Sequence, residues 1–327
     1  MRSARLAVGL IVRCGALRGP TPRRGGFARR AMATTAADDQ FDLLAKYQAG
    51  DWRGVWTQVT VDDSEATPPR RMRTHIELVE DGTATHHVNT PDGGEPQDYG
   101  IHRKGEPHVA KFLPRAFLYG PNLFPAAAKG PPGAFATEVG LRLADARVRV
   151  VFVHAGLPLG GGAGLLRFTV IREADGDSNY AVGRRDLWAE WAGPKERGPW
   201  QGTIQRYNAE EECWINESVS GGTEEDASWC VENRAKWSAS PLKLQARPGA
   251  PFASDDYLKH DLDGQIRIAV PTRWAAGDQK SLAVEWAPVG AKKCLVARVE
   301  ILMDADGAPR MTSFLVEDLD EVLELSD

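Results

Sequence analysis

Three groups of residues have types and positions that chemistry uses. His87 lies in an alternating run, and turned inward it is either a hydrogen-bonded interior histidine or a nitrogen ligand. Glu138 and Glu173 are carboxylates at strand positions. Facing inward they would be acids or bases; otherwise they are strand-surface charges or partners of Arg142 and Arg172. Phe117 and Tyr119 stand in a stretch, 115–132, rich in Pro, Gly and aromatics, which reads as a lid over a cavity or as a packed Ω-loop. These two aromatics, His87 and Glu138 are the candidate ligand-binding residues.

Named catalytic motifs are absent. The sequence has no Gly-x-Ser-x-Gly elbow, no His-Glu-x-x-His, no phosphate loop and no Rossmann fingerprint. The run Gly160-Gly161-Gly162-Ala163-Gly164 lacks a following Lys-Ser/Thr and leads into a strand, so it reads as a hairpin tip. Cys213, Cys230 and Cys294 form no Cys-x-x-Cys pair, which supports neither a zinc site nor a disulfide framework. No catalytic residue, metal ligand or cofactor is assigned.

The elements that must position these side chains are mostly strands. Five Asp-Gly dipeptides punctuate the chain, with 33 Gly and 21 Pro, and Asp-Gly between alternating runs is a strong hairpin signal. Residues 38–50 read as a short helix with Phe41, Leu44 and Tyr47 on one stripe, lying across a barrel mouth. Pairing 72–79 with 83–89 across Asp81-Gly82 sets Ile76 opposite His87 and Glu77 opposite His86. That register turns His87 inward and leaves His75 and His86 to water, whereas a slip of one residue exchanges the two sets.

Further strands are expected at 99–104, 108–113, 135–143, 147–154 and 165–173. After a polar joint at 192–199 they continue at 200–208, 213–220, 228–238, 242–246, 264–270, 281–287, 293–304 and 310–317. Residues 318–325 read as a terminal helical turn or an acidic tail. Gly-x-Trp-x-Gly occurs at Gly50–Gly54 and again at Gly198–Gly202, 148 residues apart, each copy opening a segment of barrel length. The expected fold is therefore all-β, two consecutive lipocalin-like antiparallel barrels over 38–192 and 198–327.

The first 37 residues differ from the rest. They hold eight Arg and no acidic residue, the composition of an organelle transit peptide, plastid or mitochondrial. Setting those eight aside from 40 basic residues leaves 32 against 45 acidic ones, a charge of −13 that disfavours nucleic-acid and anionic-membrane partners. No apolar run is long enough for a transmembrane segment.

Several short motifs follow one another in order along the first half. They are Phe41-x-x-Leu44, Gly50-Asp51-Trp52-Arg53-Gly54-Val55-Trp56, Tyr99-Gly100, Glu138 before an alternating strand, Arg147-Val148-Arg149-Val150-Val151 and Ile171-Arg172-Glu173. In this the stretch from Phe41 to Glu173 resembles an uncharacterised calycin-superfamily (lipocalin-like) family of cyanobacteria and plastid-bearing eukaryotes. The resemblance implies two lipocalin-like barrels and a plastid address. It also implies that an Arg of the last strand packs over the first-strand Trp. Arg172 matches Trp52 in that role and Arg310 matches Trp200, with Trp56 a further structural residue.

The function that follows is binding of a small lipophilic or tetrapyrrole-like ligand without catalysis, for instance a pigment or lipid. The alternatives are a bilin lyase or isomerase, a haem-binding barrel of the nitrobindin kind that uses His87, and a scaffold of two filled barrels.

Overall fold

The computed structural model describes residues 29–31, 37–61, 67–105, 110–121, 134–156, 162–176, 200–210, 212–219, 257–262, 266–286 and 293–321. A strand from the basic arm, β1 (Arg29–Ala31), comes before the helix α1 (Ala37–Tyr47). The first half continues through β2 (Gly50–Thr60), β3 (Arg70–Val79), β4 (Ala84–Pro91), β5 (Gln97–Arg103), β6 (Ala110–Phe112), β7 (Ala116–Tyr119), β8 (Phe135–Leu143), β9 (Ala146–Gly156) and β10 (Gly162–Asp175). The second holds β11 (Trp200–Asn208), β12 (Cys213–Val219), β13 (Tyr257–Leu262), β14 (Ile266–Pro271), β15 (Arg273–Ala275), β16 (Gln279–Trp286), β17 (Lys293–Met303) and β18 (Pro309–Glu321).

The strands pair antiparallel in two sheets. One runs β5-β4-β3-β2-β10-β9-β8-β7-β6, with β15 of the second half joined to β10; the other runs β1-β12-β11-β18-β17-β16-β14-β13. Among the described residues the architecture is thus mostly antiparallel β with one short α-helix. Among the described residues the strands form two sheets whose end strands share no register with each other, and the closure of two barrels expected from the repeated motif is not seen among them.

The first sheet nevertheless curls. Nine flat strands at about 4.8 Å spacing would hold β5 and β6 roughly 38 Å apart. Both ends instead reach α1, a helix only about 16 Å long. At β6, the Gln40 side chain accepts from Phe112 N–H at 2.7 Å and donates to Phe112 C=O at 3.4 Å, standing in for a neighbouring strand. Just beyond β5, Lys104 Nζ lies 2.9 Å from Asp42. The helix therefore bridges the seam between the two sheet edges, with Phe41 and Leu44 buried beneath it.

Strand alternation gives the curled sheet two different faces. Val139, Leu141, Val148, Val150, Phe152 and Phe168 point away from the helix and are fully buried. They share one apolar core with Ile268, Val284, Trp286, Leu295, Val299 and Phe314 of the second sheet. The concave face carries Trp52, Trp56, Thr74, His87, Arg147, Arg149 and Glu173, following the registers Trp56 to Ile171 to Arg149 and Gly54 to Glu173 to Arg147.

Several expectations need correcting. The supposed loop over 115–132 begins as strand β7, and residues 318–321 extend β18 instead of forming a helical turn. Strands β13 and β15 were not expected. The strands expected at 228–238 and 242–246, the joint at 192–199 and Phe124 lie outside the described residues. The β3–β4 register has Ile76 opposite His87 and Glu77 opposite His86, as the two-residue turn requires.

Candidate functional site

The site grows from the Arg-Val-Arg-Val alternation of β9. With Val148 and Val150 committed to the shared core, Arg147 and Arg149 must project into the concave face. There they meet Glu173 of β10 and Glu138 of β8, all four side chains being buried. Arg147 Nε donates to Glu173 Oε2 at 2.5 Å, and Arg149 Nε donates to Glu138 Oε1 at 2.5 Å. Arg149 Nη1 also lies 3.2 Å from both Glu173 oxygens, while Thr74 Oγ1 donates to Glu173 Oε1 at 2.6 Å.

Glu138 and Glu173 are therefore not surface charges, and their cations are Arg149 and Arg147, not the expected Arg142 and Arg172. Burial alone would raise the Glu173 pKa; the charges of Arg147 and Arg149 outweigh it and hold the carboxyl at about 2. Burial lowers Arg147 to about 10 against the pull of Glu173, so it stays charged at neutral pH. Burial also acts to lower Arg149, but Glu138 and Glu173 reverse the sign and raise it.

One end of the concave face is built on Trp52. Its Nε1 donates to the carbonyl of Gln48 at 2.9 Å. The Arg147 guanidinium sits 4.0 Å from the ring centre and that of Arg142 at 5.0 Å, which is cation–π geometry. The expected partner, Arg172, is opposite Val55, a residue that alternation places on the other face from Trp52. Arg147 of the preceding strand takes the role. Arg142 reaches the same place by donating from Nη1 to the Tyr47 carbonyl. Trp56 lies 5.7 Å from the Arg149 guanidinium.

Gly54 explains why the Gly-x-Trp-x-Gly motif needs its second glycine. A Cβ there would come within 2.0 Å of the Arg172 carbonyl oxygen. In the second copy, Trp200 pairs with Glu321 and Arg310 with Leu302, so they occupy opposite ends of β18. Arg310 is exposed, and strand position separates it from the Trp200 it was expected to cover.

The expected ligand-binding residues do share the concave face. Phe117 is opposite Gly140, whose missing Cβ leaves room for the Phe117 ring, and Tyr119 is opposite Glu138. Tyr119 sets its ring edge against Phe112 and Phe117, at 5.4 and 5.5 Å, in a cluster that includes Leu44 of α1. Burial, aided by Glu138, raises the Tyr119 pKa, so the phenol stays protonated. His87 is half-buried, bonds Asn89 Oδ1 through Nε2 at 3.2 Å and stacks on Tyr99 at 5.1 Å. Desolvation, reinforced by Arg149 and Arg147, lowers its pKa to about 3 and keeps it neutral. Among the described residues no group of three or more His, Cys, Asp or Glu is placed to hold a metal ion.

Sequence reasoning missed Arg147, Arg149, Gln48 and Thr74. The alternation Arg147-Val148-Arg149-Val150 carried the signal for the two arginines, because one face of that strand had to be charged. Gln48 and Thr74 gave none.

No protein family and no curated protein match this chain. Among solved structures, a protein of unknown function from the DUF3598 family of Nostoc punctiforme PCC 73102 is similar in fold. The TM-score is 0.53 at 13% identity, over 86% of this chain and 99% of that one. The likeness is to a cyanobacterial protein of an uncharacterised family, and at this identity it speaks for the fold alone. Among the described residues no helix is long and apolar enough to cross a membrane.

Proposed function

We propose that the curled first sheet is a lipocalin-like binding compartment for one small lipophilic or tetrapyrrole-like molecule, held without catalysis. The observation that carries this reading is the division of labour between the sheet's faces. The shared apolar core lies on the convex side, between the sheets. The concave side, where a filled barrel would put its dry core, instead gathers charged, polar and aromatic groups beneath α1. Aromatic walls with a few placed polar groups are the make-up of small-molecule sites.

The carboxylates argue against a lyase or isomerase. Glu173 is held ionised by two arginines and a threonine, so it has no proton to give at neutral pH. Glu138 is engaged by Arg149. One observation favours a second reading, haem binding: His87 is a neutral imidazole on the concave face. Its Nε2 is taken by Asn89, so iron would have to use Nδ1 or displace that bond.

The basic arm supports an organelle address, a plastid with the mitochondrion as the alternative. Residues 29–31 form β1 against β12, so a cleavage that spares the sheet falls before Arg29, short of the expected boundary at 37. Titrating the protein with tetrapyrroles, carotenoids and fatty acids, followed by Trp fluorescence and absorbance, tests the reading. Saturable binding of one class at one molecule per chain is expected. A Soret shift with haem that is lost in His87→Ala would favour the haem reading, and no binding by any class would leave the scaffold.

A further inference from the structure

Three buried donors of the concave cluster have no protein acceptor: Arg147 Nη2, Gln48 Nε2 and Trp56 Nε1. They belong to one connected group. Arg147 Nη1 lies 3.3 Å from Gln48 Oε1, and Glu173 joins Arg147 to Arg149, whose guanidinium lies 5.7 Å from the Trp56 ring centre. Arg147 and Gln48 are each 1% exposed. The two glutamates nearby are already engaged by other hydrogens of the arginines.

Unpaired buried donors are costly, and these three are complementary to a group that accepts hydrogen bonds and donates none. Charge narrows the choice. The unpaired Nη2 belongs to a guanidinium: Arg147 and Arg149 share Glu138 and Glu173, while Arg142 stands in the field of Asp175 and Asp145 and donates to the carbonyls of Ala144 and Tyr47. A carboxylate is acceptor-only, carries the opposite charge and matches a guanidinium edge. We infer that the ligand is a lipophilic carboxylic acid, its carboxylate seated against Arg147, Gln48 and Trp56 and its apolar body directed along the aromatic wall of Phe117 and Tyr119. The inference rests on the concave face being the ligand compartment.

The full-length protein titrated with cis-parinaric acid and, separately, with its methyl ester tests it. The acid should bind about tenfold more tightly than the ester, which lacks the charge. Trp56→Phe keeps the ring and removes one donor, so it should weaken the acid by about fivefold and the ester, a neutral and weaker acceptor, by less. Gln48→Met should act in the same direction, and circular dichroism with a cooperative melt identifies variants that keep the fold. Equal affinity for acid and ester, or equal losses of both in the variants, overturns the carboxylate seat while the compartment stands. Failure of both probes in the folded protein counts against the compartment itself, and the seat falls with it.

Discussion

Arg149 serves two carboxylates with one guanidinium, donating to Glu138 through Nε and to Glu173 through Nη1. In a buried cluster such an arrangement makes single deletions costly, because the partner's charge is left without compensation. Arg149→Met should therefore destabilise the protein by about 3–5 kcal/mol in urea unfolding. Adding Glu138→Leu should recover part of that loss, since the second change removes a charge the first one stranded. Additive losses would mean that Glu138 finds another partner. The carboxylates were visible in the sequence as strand residues able to face either way. Their partners were not, because a cross-strand contact such as Thr74 with Glu173 depends on how the sheet curls.

Helix α1 shows how one short element fixes that curl. Gln40 occupies the edge of β6 with both halves of its amide, and Asp42 reaches the far edge beyond β5. Gln40→Leu strands the buried N–H and C=O of Phe112, so a loss of about 1–3 kcal/mol is expected, together with faster hydrogen exchange at the Phe112 amide. Asp42→Asn, at an exposed pair, should change stability by less than about 1 kcal/mol. If Gln40→Leu proved as mild as Asp42→Asn, the seam would be held by something other than the helix. At this scale much was legible in the sequence. The helix follows from its apolar stripe, the β3–β4 register from alternation around Asp81-Gly82, and the β8–β9 pair from alternation on either side of Asp145. Strand β7 was hidden by the Pro and Gly around it, and β15 by its brevity, since Arg273–Ala275 is only three residues long.

At the scale of the molecule, the two halves meet through a shared apolar core and through His154. This histidine, fully buried, stacks on Phe135 at 4.5 Å, sets its edge against Trp274 at 6.1 Å and bonds the Pro271 carbonyl at 3.2 Å. Burial lowers its pKa to about 4 despite that hydrogen bond. A histidine whose folded pKa lies below the unfolded value favours folding above about pH 6.5, and the contribution is lost as pH falls from there toward 4. The span corresponds to roughly 3 kcal/mol at 1.36 kcal/mol per unit. His154→Phe should flatten that part of the stability profile, as measured by urea unfolding at successive pH values; an unchanged slope would assign the effect elsewhere. The repeated Gly-x-Trp-x-Gly pointed to two separate barrels. It gave no sign that the halves would lend each other a strand and a core, because that contact involves faces whose partners lie over 100 residues away.

We propose that the concave face of the first sheet holds a small molecule while the dry core lies behind it. Native mass spectrometry with absorbance, on protein purified gently from a plastid-bearing host, tests it most directly. One lipophilic molecule per chain is expected, or its uptake when the stripped protein is offered candidates. A chain that arrives at its bare mass and stays there through tetrapyrroles, carotenoids and fatty acids would leave no ligand for the concave face to hold.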